Sequence, residues 1–214
     1  MNLKLSVIIL VALFASSCVE RNDVDQIGQE GMELFNNGDV QAALLKFEAI
    51  LEMDDTIAEA HLRKADCLDL MNRYEESIAS YTRAIELDPL YKEAFYNRAL
   101  TYTGIRSNKK AINDYKSAIK SDPENTQELD SKFIYVNLGV LYGKEKQLYK
   151  AIESFSRAIE LDLIYTDAYY NRGYAHELKG DHKKAIEDFN KALELDPGNQ
   201  DFINAISHSK RQVP

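Results

Sequence analysis

The sequence predicts an all-α protein, an α-solenoid of stacked antiparallel helix pairs closed by a C-terminal capping helix. Three observations carry this expectation. The chain repeats itself with a period of about 34 residues, a length typical of helix–turn–helix arrays. AYYNRGYAHELKGDHKKAIEDFNKALELDP (Ala168–Pro197) aligns with AHLRKADCLDLMNRYEESIASYTRAIELDP (Ala60–Pro89), small residues and aromatics falling at matched positions. Within each unit, apolar and small residues recur at three- and four-residue spacings in two runs separated by a turn, the signature of two amphipathic helices. In the two aligned units a closing Leu-Asp-Pro then ends the second run, because proline lacks a backbone donor and restricts the residue before it.

Taken in chain order, the first element is a leader over residues 1–17. Lys4 supplies a positive charge and Leu5–Phe14, LSVIILVALF, is an apolar run. That run is too short for the roughly 20 residues a bilayer-spanning helix needs. Ala15, Ser16, Ser17 and Cys18 follow, small side chains leading to a thiol. The pattern resembles the lipobox of bacterial lipoproteins, with Ala15 where leucine is usual. The resemblance implies cleavage before Cys18 and a lipid on its sulfur, a reaction suited to a thiolate nucleophile. Ordinary secretory cleavage after Ser17 fits the same residues. Residues 18–23 read as a tether, and acidic Glu20, Asp23 and Asp25 loosely resemble surface-export signals of some Gram-negative lipoproteins.

A single repeat domain over residues 24–209 follows, divided as Val24–Ile57, Ala58–Tyr91, Lys92–Asn125, Lys132–Tyr165 and Thr166–Asn199. Gly31, Ala65, Ala99, Gly139 and Gly173 occupy one register position in the first helices. Ala43, Ser77, Ala111, Ala151 and Ala185 occupy one in the second, followed by Phe47, Tyr81, Tyr115, Phe155 and Phe189. Small residues at such positions let helix axes approach to about 8 Å. A further small position holds Ala84, Ala118, Ala158 and Ala192, with Ile50 as the exception, and Leu163 and Asp55 replace the closing proline. On these residues the chain resembles the tetratricopeptide repeat family, whose helix pairs build a superhelix.

Two elements interrupt or end the array. Six extra residues, Thr126–Ser131, are expected to lengthen the next first helix into a protruding end, with Asp122 or Asn125 near its cap; a looser linker is the alternative. Residues 200–209 are expected to form a helix shielding the last repeat's apolar face, and residues 210–214 to fray.

Composition narrows function. A formal charge of -9, with no basic cluster beyond Lys109–Lys110 or Lys183–Lys184, argues against nucleic acid as a partner. His61, His176, His182 and His208 are scattered, without metal-ligand spacing, and Cys67 lies inside a helical pattern as a core thiol. The reading is of a non-enzyme without cofactor, metal or small-molecule substrate. Family resemblance implies that the first helices line a concave face that binds a peptide or a partner's helix. The matching positions hold Arg63, Asn97, Asn137 and Asn171, beside Tyr96, Tyr170 and Tyr174. Asparagine both donates and accepts, so a ladder of them suits a peptide backbone, or else braces the neighbouring repeat; tyrosine offers rigid area with a polar tip. Clamps for acidic C-terminal tails use Lys and Arg inward, whereas Leu62, Asp66, Tyr96 and Leu100 stand here. The expected role is a lipid-anchored scaffold binding an envelope protein on the outer-membrane or periplasmic face. The alternatives are a structural subunit held by its convex face or the 126–131 insert, and a glycan- or peptidoglycan-binding protein.

Overall fold

Each helix hairpin reverses at one residue in the left-handed region. Gly38 (φ 87°), Asn72 (φ 59°), Arg106 (φ 60°), Lys146 (φ 58°) and Gly180 (φ 86°) hold that place. After Gly38, Asn72, Lys146 and Gly180 the next residue's N–H closes the turn onto the preceding helix: Asp39 on Leu34 O, Arg73 on Leu68 O, Gln147 on Tyr142 O and Asp181 on His176 O, at 2.8–2.9 Å. Glycine, expected from the last repeat, fills only two of these five turns, and Asn72, Arg106 and Lys146 adopt the strained conformation instead. Between repeats an aspartate does the work assigned to the proline. Asp54, Asp88 and Asp162 each accept from the backbone N–H two residues on, at 2.9–3.0 Å, so Leu163 replaces a proline without loss of the turn.

The computed structural model describes residues 23–126 and 129–213. Among them are α1 over 23–36, α2 Val40–Met53, α3 Ala58–Leu70, α4 Tyr74–Leu87 and α5 Lys92–Gly104. Then come α6 Asn108–Ser121, α7 Ser131–Lys144, α8 Leu148–Leu161, α9 Thr166–Leu178, α10 His182–Leu195 and α11 Gln200–Gln212. The fold is all-α, an α-solenoid of stacked antiparallel helix pairs with a terminal capping helix. The leader and Cys18 lie outside the described residues, and Asp23, assigned to the tether, is already helical.

The chain divides between Ile105 and Arg106 into two compact units. In the first, α1 crosses α2 at Gly31, where a Cβ would lie 3.0 Å from the Phe47 ring. Between α3 and α4 the crossing is filled by Ala65, Ser77, Tyr81 and Ala84, all 2% exposed or less. Lys64 on α3 pairs with Glu48 on α2 at 2.9 Å, and Arg98 Nη1 on α5 donates to Thr82 Oγ1 on α4 at 2.8 Å, tying successive repeats.

In the second unit the crossings are tighter. A Cβ at Gly139 would come within 2.6 Å of Phe155, and one at Gly173 within 2.7 Å of Phe189 and 3.2 Å of the Ala185 carbonyl. Arg172 on α9 forks onto Asp188 on α10 at 2.7 and 2.9 Å, and reaches Ser156 on α8 at 3.0 Å. A bidentate guanidinium–carboxylate pair fixes orientation as well as distance. Helix α11 buries Phe202 and Ile206 and shields the last repeat, running three residues beyond the expected end; residues 210–212, expected to fray, are helical.

The insert departs from expectation. Helix α7 opens only at Ser131, capped by Asp130, whose side chain accepts from Lys132 N at 2.9 Å. Asp122 Oδ1 takes both the N–H and hydroxyl of Thr126, and Asn125 turns left-handed (φ 53°) with its Oδ1 accepting from Ser131 N. These side-chain bonds compete with a helical start, so no protruding end forms among the described residues; residues 127 and 128 lie outside them.

Candidate binding surface on the first helices

The α3–α5 face of the first unit is organised around one carboxylate. Asp66 on α3 accepts from the Tyr81 hydroxyl at 2.7 Å and from Asn97 Nδ2 on α5 at 2.9 Å, both through Oδ1; its Oδ2 meets Arg63 Nη1 at 3.1 Å. Burial is the larger influence and pushes its pKa up to about 6, against these three donors. Arg63 also donates to Glu59 at 2.7 Å and to Glu93 on α5 at 2.9 Å. Burial works against its cation, but Glu93, Glu59 and Asp66 together raise its pKa. The Tyr91 hydroxyl donates to Glu59, and Thr101 Oγ1 to Asp69 at 2.6 Å. This wiring connects α3 to α5, one first helix to the next.

Arg63 and Asn97 are therefore brought together, with one of the Asn97 amide donors bracing the neighbouring repeat. Tyr96 stands half-buried beside Asn97 on α5. In the second unit Asn137 is half-buried on α7, and Asn171 Nδ2 bonds the Asp167 carbonyl of its own helix at 2.8 Å. Tyr170 is a packing residue, its ring 5.7 Å from Phe189 and 5.1 Å from Phe202, joining α9 to α10 and α11. Tyr174, one turn on, remains 51% exposed.

Exposed apolar side chains on the first helices, of which the sequence reading places Leu100 but not Leu70 or Leu178 at the candidate face, border grooves in each unit. Leu70 and Leu100 border a groove of about 280 Å³ with Phe35, Asp66, Asp69 and Asn97. Leu178, a helical turn beyond Tyr174, borders a broader groove of about 910 Å³ whose far wall is Asp201, His208 and Arg211 on α11. The signal was present: Leu70 follows Asp66, and Leu178 follows Tyr174, by one helical turn, so each shares its predecessor's face. The arrangement of isolated apolar side chains among satisfied polar groups suits contact with another chain.

The remaining reactive groups serve packing. Cys67 is fully buried and its thiol is pushed up to about 12, by burial first and Asp66 second, leaving no thiolate for chemistry. His176 is buried, with burial lowering its pKa, and its Nδ1 lies 3.6 Å from Asp181, which Lys179 holds at 2.6 Å. Among the described residues no group of three or more His, Cys, Asp or Glu side chains is placed to hold a metal ion. No described helix is long and apolar enough to cross a membrane.

Family models described as tetratricopeptide or TPR repeats match residues 70–104, 92–125, 133–162 and 166–199, together more than half of the chain. The DnaJ homolog subfamily C member 3 homolog of Dictyostelium discoideum is 34% identical over 110 residues, covering 50% of this chain and 22% of that protein. This chain spans under a third of the length of such curated relatives. Among solved structures, MamA superposes with a TM-score of 0.70 at 25% identity, over 77% of this chain and 93% of that one. PilF of Pseudomonas aeruginosa reaches 0.75 at 14% identity, over 90% and 88%, a likeness of fold alone.

Proposed function

The chain belongs to the tetratricopeptide repeat family, and from that premise we propose that it is a scaffold binding a segment of an envelope protein along its first-helix faces. The observation carrying this reading is the stripe of exposed apolar side chains on those helices: Leu70 at 59%, Leu100 at 40%, Tyr174 at 51% and Leu178 at 55% exposed. Side chains of this size contribute most to association when a partner removes them from water. Around them Arg63, Tyr96, Asn97, Asn137 and Asn171 supply polar contacts to the bound segment. Tyr174→Ala with Leu178→Ala is expected to weaken partner binding at least tenfold with the fold unchanged by circular dichroism; unaltered binding would count against the face. Tyr170 is unsuited to this test, since its loss also uncovers Phe189 and Phe202.

Attachment to the envelope is the second part of the proposal. Cleavage before Cys18 and acylation of its sulfur anchor the protein to a membrane, on the outer-membrane or periplasmic face. Two or three acyl chains at about 0.8 kcal/mol per buried methylene give stable attachment. Mass spectrometry of the N-terminal peptide is expected to show an acylated Cys18, and Cys18→Ala is expected to release the protein from the membrane fraction. An unmodified cysteine behind a cleaved Ser17 would contradict the anchor.

A second reading, a structural subunit held through second-helix and loop surfaces, draws on different residues. Tyr149 on α8 is 77% exposed, and Leu163 and Ile164 in the α8–α9 loop are 68% and 71% exposed.

A further inference from the structure

Glycines at the helix crossings are enforced by the aromatic opposite them, but Gly28 on α1 is not. A Cβ there would meet only Ile50 Cδ1, at an ordinary 3.7 Å. At the matching register of the later first helices stand Leu62, Tyr96, Val136 and Tyr170. The missing side chain leaves an open cleft of about 750 Å³ between α1 and α3, floored by Met32, Phe47, Ile50 and Ile57. Its rim is acidic. Asp25, Glu33 and Glu59 border it, and Asp25 and Glu33 are exposed and make no ion pair with a described residue. Among the described residues the cation at the rim is Arg63, and it is already held by Glu59, Asp66 and Glu93. An apolar floor inside a ring of carboxylates calls for an occupant with an apolar tip and positive flanks.

We propose that the cleft over Gly28 receives an apolar side chain of a partner segment, flanked by lysines or arginines that face Asp25, Glu33 and Glu59. Acidic segments are repelled by the same rim. The inference rests on the scaffold reading and deepens it by naming the partner's chemistry in the first unit. A bound anchor here uses dispersion contacts with Ile50 and Met32 and displaces water from the apolar floor.

The test is fluorescence anisotropy on the full chain with two labelled octapeptides, one with a central Leu-Phe pair flanked by lysines and one with glutamates in their place. The lysine peptide is expected to bind, to lose at least tenfold in affinity between 50 and 300 mM salt, and to lose at least tenfold on Gly28→Leu, which fills the cleft. Asp25→Lys with Glu33→Lys is expected to weaken it similarly. A side chain at Gly28 meets Ile50 at ordinary contact distance and Asp25 and Glu33 are exposed, so thermal unfolding should be unchanged or raised, and Gly28→Ala should bind as wild type within a few-fold. Equal binding of both peptides, no binding of either, or insensitivity to Gly28→Leu would overturn the inference. So would a dimer of the chain that Gly28→Leu dissociates, which would make a second copy the occupant. The Tyr174 and Leu178 test of the scaffold reading is in the other unit and stands or falls separately.

Discussion

Gly139 and Gly173 show how one absent carbon sets a crossing. A Cβ would sit 2.6 and 2.7 Å from the facing phenylalanine rings, below any tolerated contact, and at Gly173 the Ala185 backbone closes the other side. Overpacking of this kind costs about 1–3 kcal/mol, so Gly173→Leu is expected to lower stability by at least ~2 kcal/mol in urea denaturation. Gly28→Ala, with room for its methyl, should instead be neutral or stabilise by up to about 1 kcal/mol through helix propensity. Asp66 gives a pH signature. Its folded pKa of about 6 lies above that of an unfolded carboxyl, so the folded state holds the extra proton between pH ~4 and ~6. Its contribution to stability is greatest below that window and declines as pH rises through it. Asp66→Asn keeps an acceptor for Tyr81 and Asn97 but removes the titration. Relative to wild type, the variant should therefore gain about 1 kcal/mol in stability between pH 5 and pH 7; a constant difference would show that Asp66 titrates normally. The glycine–aromatic pairing was legible because both partners recur at one fixed spacing. The Arg63–Asp66–Asn97 wiring was not, since a repeat register names positions but not which side chain reaches which neighbour.

At the scale of helices, the departures from the sequence reading have local causes. The 126–131 insert read as helix because Glu and Asp near a helix start look like caps. Asp122 and Asn125 instead bond nearby backbone N–H groups and divert the chain before Ser131. The cap α11 was expected at residues 200–209 and runs to Gln212. Its anchor Phe202 is 6% exposed and packs on Tyr170, so Phe202→Ala is expected to cost about 3 kcal/mol. Hydrogen exchange should show that loss first in α9, α10 and α11, because in a repeat array each element is stabilised by its neighbours. Uniform loss of protection across both units would argue that the chain unfolds as one cooperative body.

For the chain as a whole, repetition fixed the fold and left the partner to surface detail. The two units carry separate candidate surfaces, an α1–α3–α5 face rich in carboxylates and an α9–α11 groove bordered by Tyr174 and Leu178. A net charge of -9 extends the acidic character of the first of these. The proposed membrane attachment rests on the sequence of the Cys18 leader alone. The most direct measurement of the scaffold claim is site-specific photo-crosslinking in intact cells, with the crosslinker introduced in turn at Leu100, Tyr174 and Tyr149. Adducts to a common class of envelope protein from Leu100 and Tyr174, and none from Tyr149, are the expected result. Adducts from Tyr149 alone would assign binding to the second helices and contradict the account.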